Sequence, residues 1–338
     1  MQNEINIQGI LCHLCKSENE IKETNETKKV TKIKPYTFFT KNEININNIL
    51  FFLEHKLNRY VTIKKVSKLK INEISENTIK KAEIHKENEY VMIKYDENEG
   101  DYIDGIINFL YNKGEKEYIT GVVESYFYII KTISQLQNEG IIYYNFSSDK
   151  MKFKDIYNPH CILYDFELSL IEKKIKTNKN EVIEYFKNFI KINQNFTFKP
   201  FEVHVLFYLY KMQEEYLSKY KITQIINKYV ENMTNILKEE NDCTLRENCD
   251  KFMEQFINKN KNDVIIQLIN YYKTWDNYSV SILYLHLVEN IIQGYKTQMR
   301  FMSRFQDILY QNVSQNPNQR MSLEKTISCF NDLFQYWV

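Results

Sequence analysis

Polar and apolar residues alternate along positions 5–35, a period of two that predicts two or three short strands. The period then changes. After "TKNE" at 40–43, Ile46, Ile49, Leu50, Leu53 and Leu57 fall on one helical face and predict a helix over 41–58. Thr40 with Glu43 three residues on has the form of a capping box at its start. Strand-like runs return in "RYVTIKKVSKLKI" (59–71) and "EYVMIKY" (89–95). The acidic, glycine-containing "DENEGD" (96–101) predicts a loop and a domain boundary.

Helical spacing dominates the rest. Residues 118–139 place Val122, Tyr126, Ile129, Ile130 and Ile133 on one face, and Gly140 has the place of a residue just past a helix end. Two short strands are expected around "GIIYYNFSSDKMKF" (140–153) and "CILYDFELSL" (161–170). A helix is predicted over 200–217, with Pro200 in its first turn. Further helices follow over 220–270. The segment 278–292 is apolar nearly all round, which marks a helix inside a domain. The last helix, 322–334, carries Leu323, Ile327, Phe330 and Phe334 on one stripe. The class expected is α+β: a strand-rich portion over 1–95, then a helical portion over 96–338.

Composition narrows the partners. Lys+Arg 45 nearly cancels Asp+Glu 44, so no global charge favours nucleic acid or an anionic membrane. The basic run "KKVTKIK" (28–34) reads as a solvated face. No apolar stretch reaches the roughly 18 residues of a membrane span. The start "MQNEINIQGI" lacks a basic region followed by an apolar run, and the 6 cysteines are expected as reduced thiols. Cys12, His13 and Cys15 have zinc-knuckle spacing, but no second pair matches them, since Cys243 and Cys249 lie too far apart. A strand with two thiols is the reading there. With Gly 7 and Pro 4, and with Asn, Lys, Ile and Tyr abundant, codon bias toward A and T shapes this chain, which weakens propensity arguments.

Four segments in order carry a resemblance. They are "GIIYYNFSSDK" (140–150), "YDFELSL" (164–170), "TWDNYSVSILYL" (274–285) and "NPNQRMSLEKT" (316–326). Over residues 120–326 this order resembles the protein-kinase fold, with a small strand-rich lobe and a large helical lobe. "GIIYYNFSSDK" lies where kinases have the catalytic loop, and "YDFELSL" where they have Asp-Phe-Gly. With Pro200, Glu202 and His204, the chain is similar to the kinase-like proteins of nucleocytoplasmic large DNA viruses. The resemblance implies a helical insertion near 215–265, because Glu202 and Asp276 are far apart for a kinase.

Phosphoryl transfer needs held phosphates, placed metal ions and a carboxylate that orients the acceptor hydroxyl. By the resemblance the carboxylate position holds Asn145, whose amide cannot take a proton near neutral pH. Asp149 is the alternative base. Tyr143 stands for the loop histidine, and Ser147 for the loop lysine. Lys150 stands for a metal-ligating asparagine and brings only charge. Asp165 is the one metal ligand retained. Glu167 replaces a glycine that favours positive φ, so it is either a replacement ligand or part of a fixed loop. No glycine-rich loop occurs near Gly9. Lys32 or Lys34 is the candidate strand lysine, with Glu43 or Glu54 as its helix partner. Phe38, Phe39, Phe51 and Phe52 read as core between lobes rather than a base-stacking platform.

The structural positions remain. Asp276 is expected to be buried and to accept from the backbone of the 143–146 loop, and Arg320 to pair with Glu202. The resemblance therefore implies a catalytically inactive pseudokinase acting through a protein partner, viral or host, including a kinase. It needs no cofactor, and ATP with magnesium would bind weakly. Its place would be the host cytoplasm or the virion. The alternatives are an atypical serine/threonine kinase using Asp165 and Glu167 for metal, and a purely structural helical virion protein.

Overall fold

The computed structural model describes residues 5–6, 31–53, 59–69, 89–96, 102–111, 113–190, 198–233, 242–295 and 300–335. Cys12, His13, Cys15, Gly9, Glu54 and Leu57 lie outside them. The chain is of mixed α+β class. It divides into two compact units. One runs to Gly105 and takes in Lys150–Ser169; the other holds Ile106–Asp149 and Leu170–Val338. The cut expected at 95/96 thus differs from this division. The segment after Lys150 joins the first unit because its strand 151–153 pairs with 103–104.

In the first unit, β1 (Ile5–Asn6), β2 (Thr31–Pro35), β3 (Thr62–Leu69) and β4 (Tyr90–Asp96) form an antiparallel sheet in the order β1-β2-β4-β3. Helix α1 (Phe38–Leu50) follows β2 directly. Ile63, Val91, Ile93 and Tyr95 make a buried cluster of this unit. α1 buries Phe39, Ile46 and Leu50, and its Asn47 side chain both accepts from Ile63 N at 2.5 Å and donates to Ile63 O at 3.2 Å. Those bonds satisfy β3 where its register shifts between Ile63 and Lys65.

The helix starts earlier than the capping-box reading placed it. Thr37 is the N-cap and accepts from Thr40 N, while the Thr40 hydroxyl donates back to Pro35 O at 2.6 Å. Two threonines three apart competed for one role, and Thr40 was already engaged. Phe51 and Phe52 follow the helix and are exposed, at 53% and 84%, so they are not core. A second small sheet has the order β5-β7-β8, from β5 (Ile103–Asp104), β7 (Met151–Phe153) and β8 (Cys161–Leu163).

The second unit is helical. It comprises α2 (Ile106–Leu110), α3 (Glu115–Asn138), the pair β6 (Ile141–Ile142) and β9 (Leu170–Ile171), α4 (Glu172–Ile175), α5 (Lys179–Ile190), α6 (Phe201–Lys211), α7 (Lys219–Met233), α8 (Asp242–Met253), α9 (Lys261–Ile269), α10 (Trp275–Tyr295), α11 (Arg300–Asn312) and α12 (Leu323–Gln335). Gly140, at φ 74°, ends α3 in the left-handed conformation, where a side chain would be strained. α10 is buried nearly all round: Tyr278, Val280, Ile282, Tyr284 and Val288 are wholly inaccessible. Several of its polar groups are satisfied internally. Tyr284 Oη donates to Ser125 Oγ at 2.9 Å, and Asn277 Nδ2 to Thr326 Oγ1 at 2.9 Å.

α6 stops at Lys211 rather than continuing to 217, because Met212 turns to extended backbone. The segment expected as an insertion leaves and returns at one place. Leu217 N donates to Lys259 O at 3.1 Å, and Lys261 N to Glu215 O at 2.6 Å. α7 and α8 occupy the excursion between, and α9 begins where the chain returns. Among the described residues no helix is long and apolar enough to cross a membrane.

Candidate functional site

In the first unit Lys32 and Lys34 have different surroundings. Strand alternation puts Lys32 and Lys34 on the same side of β2. Lys32 is half-buried with its ammonium 5.6 Å from the centre of the Tyr95 ring. Lys34 is 6% exposed and donates to two carboxylates: Glu43 Oε2 at 2.9 Å and Glu167 Oε2 at 2.8 Å. Burial alone would lower its pKa. Glu43 and Glu167 outweigh burial and hold the ammonium above the ordinary lysine range. Tyr95 Oη donates to Glu43 Oε1 at 2.9 Å, and its own pKa is raised by burial and by that carboxylate. Every member of the cluster therefore has a partner of this chain.

Glu167 is fixed from both ends. Its side chain holds Lys34, and its carbonyl accepts from Asn42 Nδ2 at 3.1 Å. Asn42 also donates to Ser169 O at 2.7 Å. Glu167 does not take the positive φ of the glycine it replaces; the left-handed residue is Asp165, at φ 62°. Aspartate tolerates that conformation better than most side chains do. Asp165 is ion-paired with Lys150. Phe166, between them, is buried with its ring centre 6.0 Å from that of Tyr60. The retained metal-ligand candidate thus faces a lysine, and the added carboxylate faces another.

In the second unit the 143–149 loop is organised by Asp276. Its carboxylate, 0% exposed, accepts from Tyr143 N at 2.8 Å and Tyr144 N at 2.7 Å. Burial pushes the Asp276 carboxyl up to about 6, against the pull of those amides and of Lys199. Tyr144 is left-handed at φ 60°, a strained place for a bulky aromatic. It is held there on three sides. Asp276 takes its N–H, the buried Lys199 ammonium donates to its carbonyl, and Trp275, Phe186 and Phe189 surround its ring. Tyr143 is buried; Asn145 is half-buried, its N–H bonded to Tyr143 O at 2.6 Å. Ser147 Oγ donates to Asp149 Oδ1 at 2.6 Å, so the alternative base is engaged by its own loop. Lys199 was not singled out from the sequence; its place just before "PFEVH" was the available signal.

Glu202 and Arg320 lie face to face, both side chains inaccessible. Arg320 Nη1 donates to Glu202 Oε1 at 2.5 Å and Nη2 to Oε2 at 2.8 Å. Trp275 Nε1 adds a bond to Glu202 Oε1 at 3.0 Å. Arg320 Nε donates to Ser314 O at 2.7 Å. This fork locks the start of α6 to α10 and to the turn before α12.

No protein-family model matches the chain, and no curated protein matches its sequence. Among the described residues no three His, Cys, Asp or Glu side chains form a metal-binding group.

Proposed function

We propose that this chain is a two-lobed, kinase-like pseudoenzyme of a large DNA virus. It works by binding a protein partner, viral or host, in the host cytoplasm or the virion, and it does not transfer phosphate. One observation carries the reading: the charges that would meet a nucleotide are already matched within the chain. Lys34 is taken by Glu43 and Glu167, and Asp165 is taken by Lys150. In this reading Glu167 occupies the electrostatic role of a phosphate oxygen, and Lys150 that of a metal ion. The five groups sum to −1, from two lysines against three carboxylates. A polyphosphate gains little there unless an internal pair opens. Asn145 brings no base and Ser147 no cation, so a bound nucleotide would still lack its chemistry.

The test is a titration of purified protein with ATP, with and without magnesium, alongside a phosphotransfer assay. The expected result is weak binding with little magnesium dependence and no transfer. Glu167→Gln removes the charge of one of the two partners of Lys34 while keeping its shape. It should tighten ATP binding by about tenfold, the equivalent of about 1.4 kcal/mol. Tight, magnesium-dependent binding by the unmodified protein, with transfer abolished by Asp165→Ala, would replace this reading with the atypical kinase. No ATP binding by either protein would favour a purely structural role.

A further inference from the structure

Helices α6 and α7 and the turn between them form a half-open cleft of about 720 Å³. That volume falls within the range of roughly 300–1,000 Å³ typical of small-molecule sites. Its floor is apolar and buried, from Met212, Ile225 and Tyr229. Its walls are aromatic, from His204, Phe207 and Tyr208.

The lining is set before any ligand arrives. The His204 ring meets the Tyr229 ring at 77° with centres 4.9 Å apart, and its Nε2 lies 3.2 Å from Lys199 O. Tyr229 Oη lies 3.1 Å from Tyr278 Oη in the core. Tyr208 Oη donates to Gln224 Oε1 at 3.2 Å, and Gln224 Nε2 to Tyr220 Oη at 2.9 Å, which orders one wall across a turn of α7. A wall that needs no ordering on binding loses less affinity to entropy.

Three lysines stand over this apolar bowl: Lys211, Lys221 and Lys228. Lys211 lies 3.8 Å from the Phe207 ring centre. Lys221 is paired with Glu214 at 3.1 Å, the one acidic residue of the lining, and Lys228 is exposed. Three cations against one carboxylate leave the rim at +2. The Glu214–Lys221 pair is exposed enough to exchange for another anion at small cost.

We infer that this cavity is a binding site for a small amphipathic organic anion, one with a flat apolar body and a single acidic group. The body lies on Ile225 and Tyr229 between the aromatic walls, and the acidic group meets Lys221 and Lys228. The residues involved belong to α6, α7 and their connection, so the inference does not depend on the kinase resemblance.

The probe is 8-anilinonaphthalene-1-sulfonate, titrated into the full chain and followed by calorimetry. One site per chain is expected. The paired substitution Lys221→Gln with Lys228→Gln should weaken binding by about tenfold without lowering the melting temperature. N-phenyl-1-naphthylamine, the same body without the sulfonate, should bind more weakly and ignore the substitutions. Raising salt on the unmodified protein should weaken the sulfonate alone. No saturable binding, a sulfonate affinity that the paired substitution leaves unchanged, or equal binding of the uncharged body would overturn the assignment.

Discussion

Arg320→Ala is expected to destabilise the protein by about 3–5 kcal/mol, the cost of leaving a buried charge unpaired. Glu202 would keep only the Trp275 indole as partner, in a place no water reaches. Glu202→Ala should cost about as much, since it strands the guanidinium. At about 2–4 °C per kcal/mol for a unit of this size, the melting temperature should fall by roughly 6–20 °C. The double variant should cost less than the sum, because the second change removes the charge that the first stranded. Arg320→Lys should fail to rescue, because a lysine cannot reproduce the two-pronged contact or the bond to Ser314 O. Urea titrations and thermal melts of the four variants measure all of this. Additive losses, or an unchanged melting temperature in either single variant, would show that the fork does not hold the helices.

Asp276→Ala comes next in size, at about 3 kcal/mol. It orphans the amides of Tyr143 and Tyr144, each costing about 1–3 kcal/mol when buried without an acceptor. The same carboxyl gives a pH signature. Its pKa is raised from 3.8 to about 6 in the folded chain. Between those values the native state holds the proton and the unfolded state does not. Stability from this group is therefore complete below pH 3.8 and falls as pH rises to about 6. A shift of about two units amounts to roughly 3 kcal/mol. Asp276→Asn cannot titrate. The stability of the parent minus that of the Asn variant should fall by about that amount between pH 4 and 6.5. A flat difference would mean that Asp276 is ionised throughout.

Much of this was legible in the chain because hydrophobic period reports burial directly. The face of α3 from Val122 to Ile133 and the all-round burial of α10 follow from spacing alone. The fork of Glu202 with Arg320 was legible only through a resemblance, since 118 residues separate the partners and no local rule joins them. Lys32 and Lys34 could not be told apart, because a strand presents both on one face. What separates them is where Glu43 and Glu167 reach, a fact of tertiary packing. The start of α1 was misplaced for a related reason: capping depends on which hydroxyl is free, and Thr40 spends its own on Pro35. The cavity beside α7 left no mark at all. A helix predicted to run on to 217 instead breaks at Met212, and that break opens the space.

The 143–144 peptide amides belong to no helix or sheet, yet both end on a carboxylate that water does not touch. Their hydrogens can exchange with deuterated solvent only when α10 moves away from the loop. In time they should behave like the middle of a core helix, slow by the same factor as the opening of the unit is rare. A segment drawn as irregular coil would then be among the last parts of this protein to exchange its protons.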